Sequence, residues 1–205
     1  MIKNVIFDFG QVMVRFDPAY MVGQYMTDAA DAKLLEAVVF DRLYWDRLDA
    51  GSITDAETLD ACRGRLPERL WEVAACIYWN WIYHLPEIAG MRELVGDLRK
   101  SGVRVILLSN ISKYFASHAD EIPSLSLFER CFFSAVCGRI KPNRDMFAYV
   151  CDECGILPAE TLFVDDNAKN IKGAEACGIT GYLFDGDAAH LREFLTEKHL
   201  ICTGT

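Results

Sequence analysis

The chain has 205 residues, a mass of 23.1 kDa and a net charge of −9, from 21 basic and 30 acidic residues. Because nucleic acids and anionic membrane surfaces attract basic proteins, this charge argues against both as partners. Apolar residues make up 52% of the chain, which is enough for a sizeable core in one domain, with or without an insertion, and is unlike the composition of a disordered chain.

The chain begins with a short apolar run, residues 4–7, that ends at Asp8. This run is too short for the core of a signal peptide, and no stretch approaches the roughly 20 apolar residues of a membrane span. The eight cysteines are too few for a disulfide scaffold, so we expect reduced thiols and a cytoplasmic protein. Cys151 and Cys154 have metal-ligand spacing, but they fall within a helical pattern and no second ligand pair accompanies them, which favours core cysteines.

Residues 17–85 contain no convincing strand. Asp17-Pro18 is typical of a helix start, and Thr54 stands three residues before Glu57, which is the spacing of a capping box. Residues 67–83 are predicted to form one long aromatic-rich helix. We therefore predict a helical insertion, the cap, that follows the first strand and covers one edge of a sheet.

The rest of the chain alternates between two patterns. Strand-length apolar runs that stop at polar residues recur at 103–108, 161–164 and 181–184, with a weaker one at 131–134. Amphipathic helical patterns lie at 86–100, 143–154 and 168–177. This alternation predicts an α/β fold, a parallel sheet covered on both faces and formed by residues 1–16 and 86–205. Ligands bind at the carboxyl ends of such strands, so we expect the polar residues there to converge.

Three carboxylates follow two of these strands: Asp8, and the adjacent pair Asp165 and Asp166. Like-charge repulsion makes such a cluster costly unless a cation is bound. Mg²⁺ suits these ligands, since it takes one or two protein carboxylates and fills its remaining positions with water and phosphate oxygens. Ser109 ends a third strand, and Lys141 lies on a loop before a helix, where a lysine can neutralise the acids and hold a phosphate.

Four short motifs, taken in order, resemble those of the haloacid dehalogenase superfamily. They are Phe7-Asp8-Phe9-Gly10-Gln11-Val12, Leu108-Ser109-Asn110, Lys141-Pro142 and Phe163-Val164-Asp165-Asp166-Asn167. The resemblance covers essentially the whole chain, and the insertion lies where the family has its type-1 helical cap. It implies a Rossmann-like three-layer core and, as in most members, a Mg²⁺-dependent phosphatase.

The resemblance also implies a role for each matching residue. Asp8 would attack phosphorus and form an aspartyl-phosphate, which water then hydrolyses. Asp8, Asp165 and the backbone carbonyl of Gly10 would bind Mg²⁺, while Asp166 would orient a metal-bound water or pair with Lys141. Asp8, Ser109 and Lys141 would be the catalytic residues. The residues expected to bind the substrate phosphoryl group are Ser109, Asn110 and Lys141.

Residue 10 departs from the family pattern. Family phosphatases usually carry a second aspartate there as general acid/base, and loss of such a group typically costs about 10²–10⁴-fold in rate. The pattern Asp-x-Gly-[Asn/Gln]-Val nevertheless resembles a branch that includes sugar-1-phosphate phosphatases. We therefore expect a phosphatase of small phosphomonoesters, with a sugar phosphate as substrate. Gln11 or a cap residue could place the leaving oxygen or a water.

Two alternatives stay open. A metal-independent 2-haloacid dehalogenase also lacks the second aspartate, but it leaves the adjacent pair Asp165 and Asp166 unexplained. A module with little catalytic power that only binds metal and phosphate is also compatible with Gly10.

The cap is expected to set specificity and contains all four tryptophans. Trp45 could stack on a sugar ring, but packing within the cap is the favoured interpretation. The candidate substrate contacts are Arg42, Arg47 and His84. The expected partner is a small phosphorylated metabolite, and the sequence does not predict the oligomeric state. The last residues, 199–205, are predicted to be frayed.

Overall fold

The computed structural model describes residues 1–201. Its strands are β1 (Asn4–Phe7), β2 (Arg104–Ser109), β3 (Arg130–Phe133), β4 (Thr161–Asp165) and β5 (Thr180–Leu183). They form one parallel sheet in the order β3-β2-β1-β4-β5. Each predicted strand is confirmed to within one residue, and the central position of β1 places Asp8 in the middle of the carboxyl edge.

Helices surround this sheet. In chain order, the α-helices of residues 1–201 are α1 (Pro18–Gly23), α2 (Ala29–Val39), α3 (Arg42–Asp49), α4 (Asp55–Arg63), α5 (Trp71–Asn80), α6 (Met91–Lys100), α7 (Lys113–Ser117), α8 (Ser134–Cys137), α9 (Arg144–Cys154), α10 (Ala168–Glu175) and α11 (Ala188–Glu197). Val5 and Phe7 share a buried cluster with α6 and α11, while Ile6 packs in a second cluster with α9 and α10. Since alternate side chains of a strand point to opposite faces, the sheet is covered on both sides. The predicted three-layer α/β fold is confirmed.

Helices α1 to α5 fill the segment between β1 and α6, where the described structure has no strand. The side chain of Asp17 accepts a hydrogen bond from the backbone N–H of Tyr20 at 3.1 Å, and Thr54 and Glu57 form the predicted capping box at α4. Buried residues of α1, α2 and α5 belong to the same cluster as Val5 and Phe7. The helical cap therefore packs directly on the sheet layer, and its boundaries at 17 and 85 stay predictions.

Two predicted helices have different bounds in the structure. The helix expected over 86–100 begins only at Met91, because Pro86 O accepts from Arg15 N (2.8 Å) and Ile88 N donates to Met13 O (3.0 Å). The helix expected over 67–83 is divided into a 3-10 turn (Glu68–Leu70), α5 and a second 3-10 turn (Trp81–Tyr83). Near the second break, Asn80 Nδ2 donates to the Cys76 carbonyl at 2.8 Å, which is a side-chain bond that competes with helical hydrogen bonding.

The end of the described chain is ordered by packing. Leu200 and Ile201 are buried, so the prediction of a frayed tail is wrong for residues 199–201. Residues 202–205 lie outside the described part of the chain.

Cys151 belongs to the buried cluster around Ile6 and Cys154 packs against it, which confirms the interpretation of both as core cysteines. Among residues 1–201, no helix combines the length and apolarity that a membrane crossing requires.

Candidate active site

The ends of three neighbouring strands meet at one edge of the sheet. Asp8 follows β1, Asp165 ends β4 and Asp166 follows it. Because β1 pairs with β4, each of these three residues has a carboxylate oxygen within 4.8 Å of the other two. Ser109 ends β2, on the other side of β1, and lines the same cavity. The predicted convergence of the strand ends is confirmed.

Lys141 lies between two of these carboxylates. Its Nζ is 2.8 Å from Asp8 Oδ1 and 2.8 Å from Asp165 Oδ2, and the residue is only 3% exposed. Asn110 holds the backbone at this point, because its Oδ1 accepts from Lys141 N and its Nδ2 donates to Lys141 O, both at 2.9 Å. The side chain of Asn110 is therefore occupied in positioning the lysine.

Asp165 is held from several directions. Asn170 Nδ2 donates to both of its oxygens, at 3.1 and 3.0 Å, and the backbone N–H of Asn167 donates to Oδ1 at 2.8 Å. Together with the Lys141 contact, these bonds fix the orientation of a carboxylate that is completely buried. The start of α10 thus supplies the support for the β4 side of the site.

The cluster is short of positive charge. Burial raises the pKa of Asp8 to about 7, and the charge of Asp165 adds to this, while Lys141 acts in the opposite direction. Desolvation lowers the pKa of Lys141, but the charges of Asp8 and Asp165 outweigh it and the net shift is upward. The pKa of Asp166 is raised as well, by desolvation first and then by Asp165. One lysine does not neutralise three carboxylates, which is the situation that a divalent cation relieves.

The donor atoms fit a hard divalent cation. Asp8, Asp165 and Asp166 offer carboxylate oxygens, the ligand type that Mg²⁺ and Ca²⁺ prefer. Gly10 lines the same cavity, two residues after Asp8, so a backbone carbonyl is available in this region.

Gln11 has a left-handed backbone (φ 58°), and its Nε2 donates to Phe16 O at 2.9 Å, which turns its side-chain amide toward the chain entering the cap.

A cavity of about 250 Å³ lies above the carboxylates. The core contributes the charged floor, and the cap, together with the residue just before it, contributes a roof in which three of six residues are aromatic. The roof residues are Phe16, Arg42, Trp45, Asp49, Trp81 and Leu85. Trp45 donates from Nε1 to Val39 O at 2.6 Å and packs against Phe16 and Phe40, so the packing interpretation is confirmed although one part of the ring reaches the cavity.

Of the predicted substrate contacts in the cap, one lines the cavity and two do not. Arg42 lines the cavity and forms an ion pair with Asp46 one turn further along α3. Arg47 and His84 are not among the lining residues, and His84 instead forms a 2.8 Å hydrogen bond with the hydroxyl of Tyr25. Arg42 is therefore the one of the three predicted contacts that the structure places at the cavity.

Comparison with known proteins bears on the same residues. The family model of the haloacid dehalogenase-like hydrolases matches residues 2–178, which includes the cap and every residue of the carboxylate and lysine cluster. The chain belongs to this hydrolase family. As a haloacid dehalogenase-like hydrolase it is an enzyme, and it shares its fold with its structural neighbours.

Two relatives span nearly the same length as this hydrolase. The sesquiterpene phosphatase astK of Aspergillus oryzae is 27% identical over 184 residues, which cover 87% of this chain and 88% of the relative. D-ribitol-5-phosphate phosphatase of Bacteroides thetaiotaomicron is 29% identical over 184 residues, with coverages of 83% and 86%.

Solved structures give the same picture of the fold. A HAD family enzyme of Bacteroides thetaiotaomicron, in complex with magnesium and inorganic phosphate, is 23% identical with a TM-score of 0.71, over 93% of this chain and 99% of that chain. A magnesium complex of the same enzyme is 25% identical with a TM-score of 0.67, over 93% and 98%.

The sequence-based prediction of the site missed an acidic residue of the cavity. Asp49, at the end of α3, lines the cavity and is only 7% exposed. Burial is the main reason that its pKa is raised to about 7. A signal was present in the sequence. Trp45 and Asp49 follow Arg42 by three and seven residues, so the three side chains share one face of a helix.

Proposed function

We propose that this hydrolase is a Mg²⁺-dependent phosphatase of small phosphomonoesters, with sugar phosphates as the substrate class, and that it acts in the cytoplasm. The observation that carries the proposal is the cluster of Asp8, Asp165 and Asp166, which holds three acids within 4.8 Å of one another and only one buried lysine. The names of two relatives, a polyol-phosphate phosphatase and a sesquiterpene phosphatase, agree with phosphate-ester hydrolysis.

In this proposal Asp8, Asp165 and the carbonyl of Gly10 would hold Mg²⁺, and Asp166 would orient a water. The alternative pairing of Asp166 with Lys141 is not found, because Lys141 pairs with Asp8 and Asp165. The donor set suits this ion because every side-chain donor is a hard oxygen and the cluster lacks positive charge. When bound, the ion screens the charge of the phosphoryl oxygens and of the carboxylates.

The reaction begins at Asp8. The Phe9 backbone N–H (2.6 Å) and Lys141 (2.8 Å) both contact its Oδ1, which leaves Oδ2 as the oxygen that attacks phosphorus. The Asp8–phosphorus bond forms as the bond to the leaving oxygen breaks, and water later hydrolyses the aspartyl-phosphate. The Lys141 ammonium and the Ser109 hydroxyl bind the transferring oxygens, and Asn110 keeps the lysine in place. Such fixed donors supply most of the catalysis in phosphoryl transfer.

The test is phosphate release from p-nitrophenyl phosphate and a panel of sugar and polyol phosphates, with Mg²⁺ and with EDTA. We expect release that requires Mg²⁺ and is lost in Asp8→Asn. Asp17→Asn is the matched control, since asparagine also caps helices and residue 17 lies at the start of α1, outside the cavity. Halide release from 2-haloacids that persists in EDTA would instead identify a dehalogenase. Mg²⁺ binding without turnover of any ester would identify a binding module.

A further inference from the structure

The departure of an alkoxide from phosphorus needs a proton donor at the leaving oxygen, because an alkoxide is a poor leaving group. Gly10 has no side chain to supply this proton. Three carboxyl side chains of the described residues line the cavity, from Asp8, Asp49 and Asp166, and only Asp49 lies outside the cluster assigned to the nucleophile and the metal. We propose that Asp49 is the general acid and base of this enzyme, an inference that rests on the phosphatase function proposed above.

The environment of Asp49 suits a group that exchanges protons with a substrate. Within residues 1–201, its carboxyl forms no hydrogen bond and no ion pair, and neither oxygen is fully shielded from solvent. This contrasts with Asp165, whose oxygens are bound by Asn170, Asn167 and Lys141. A buried carboxyl that the protein leaves without a partner is free to bind a ligand atom.

The backbone at Asp49 is fixed to the core domain. Its carbonyl accepts a hydrogen bond from Ser134 Oγ at 2.5 Å, at the start of α8. Two residues later Gly51 has φ +68°, and a Cβ there would lie 3.1 Å from the carbonyl oxygen of Ala135. Only glycine allows this left-handed turn and close approach, so the end of α3 is held against the sheet. The side chain of Asp49 therefore extends from a backbone that is anchored to the core domain.

Several charges act on Asp49 from the elements around it. Desolvation raises its pKa to about 7, Arg42 and Lys141 lower it, and Asp46 and Asp8 raise it. Both protonation states are therefore populated near neutral pH, as a group that gives and then takes a proton requires.

Asp49 transfers one proton in each of the two steps. Asp8 Oδ2 forms a bond to phosphorus, the bond between phosphorus and the leaving oxygen breaks, and that oxygen takes its electron pair and the proton of Asp49. The Asp49 carboxylate then removes a proton from water, the water oxygen bonds to phosphorus, and the Asp8–phosphorus bond breaks with its electron pair returning to Asp8. An alcohol and inorganic phosphate leave, and Asp49 is protonated again.

The test compares leaving groups that do and do not need protonation. In Asp49→Asn, single-turnover cleavage of an alkyl ester from the sugar and polyol phosphate panel should fall by about 10²–10⁴-fold. The burst of p-nitrophenolate from p-nitrophenyl phosphate should stay within about tenfold, because p-nitrophenolate leaves without a proton. The second step should slow, so that acid-quenched protein carries stoichiometric phosphate on Asp8. The control is Asp60→Asn, an exposed acid on α4 that should change neither rate.

A rescue separates a catalytic role from a structural one. A Cβ at Gly10 meets no atom within 4 Å, so Gly10→Asp can place a carboxyl in the same cavity without a clash. In the Asp49→Asn background this change should restore alkyl ester cleavage by at least tenfold. Inorganic phosphate should bind the Mg²⁺-loaded Asp49→Asn protein with unchanged affinity in calorimetry, which shows that the site is folded.

Four outcomes would overturn the inference. They are an equal loss for both kinds of leaving group, no loss for the alkyl ester, no rescue by Gly10→Asp, and weakened phosphate binding. Wild-type protein that cleaves p-nitrophenyl phosphate but no alkyl phosphate would overturn it as well, while leaving the phosphatase function intact. If wild-type protein cleaves neither ester, the proposed function itself has failed.

Discussion

The buried carboxyl of Asp49 should make the stability of the metal-free protein depend on pH. The folded protein keeps a proton on Asp49 up to about pH 7, whereas the unfolded chain loses it near 3.8. The stability that this group contributes is therefore fully present below about pH 4 and is lost as the pH rises through 7. Asp49→Asn removes this loss, because the amide does not ionise.

The size of the effect follows from the shift of about three pKa units. At 1.36 kcal/mol for each unit, the ionised group destabilises the folded state by about 4 kcal/mol at pH 8. The residue is only 7% exposed, so solvent screening reduces this value little. We expect the stability advantage of Asp49→Asn to be small at pH 4 and to grow by about 1.4 kcal/mol for each pH unit up to pH 7.

Urea unfolding in EDTA, extrapolated to water at each pH from 4 to 8.5, measures this difference. The control Asp60→Asn removes an exposed carboxylate with an i,i+3 partner, and we expect it to change stability by no more than about 0.5 kcal/mol throughout. A difference between Asp49→Asn and wild type that is the same at every pH would show that the carboxyl is not held protonated by burial.

Three further predictions concern the floor of the site. Lys141→Met leaves the carboxylates of Asp8 and Asp165 without their cation. Chemical denaturation at pH 8 in EDTA should therefore show that the free energy of unfolding falls by about 3–5 kcal/mol, and a fall of less than about 1 kcal/mol would contradict the ion-pair geometry. Gly173→Ala places a Cβ against the carbonyl oxygen of Pro142, so thermal unfolding should report a loss of about 1–3 kcal/mol. The control Gly96→Ala, which has open space around it, should not destabilise the protein. Asp8→Asn should abolish incorporation of phosphate into acid-quenched protein, and labelling that persists in this variant would place the nucleophile elsewhere.

The strand ends were predictable because their signal is local. Each of the runs that end at Asp8, Ser109 and Asp165 is apolar over a strand length, and a parallel sheet brings such ends together whatever the order of the strands. The Lys141 contact with two carboxylates followed from the same logic, since one lysine and several acids were expected at one edge.

Features that depend on distant contacts were not predictable in this way. The start of α6 is set by hydrogen bonds between residues 13–15 and 86–88, which no local pattern reveals. The sequence does not predict Asp49 as a site residue, because Asp49 reaches the cavity through contacts of the end of α3 with Ser134 and Ala135 of the core. Its position on the cavity face of α3 is visible in the helical spacing, but which face of that helix meets the active site is a tertiary fact.

The shared buried cluster of β1, α6, α1, α2 and α5 means that the cap and the sheet layer have no separate folding equilibria. Removal of either part would expose the apolar surface of the other, so the two should unfold together in one cooperative transition. Exchange of the whole cap between relatives would break this joint core. Substitution of Arg42, the exposed residue on the cavity-facing side of α3, would not, and that position is therefore where substrate preference can change without loss of the fold.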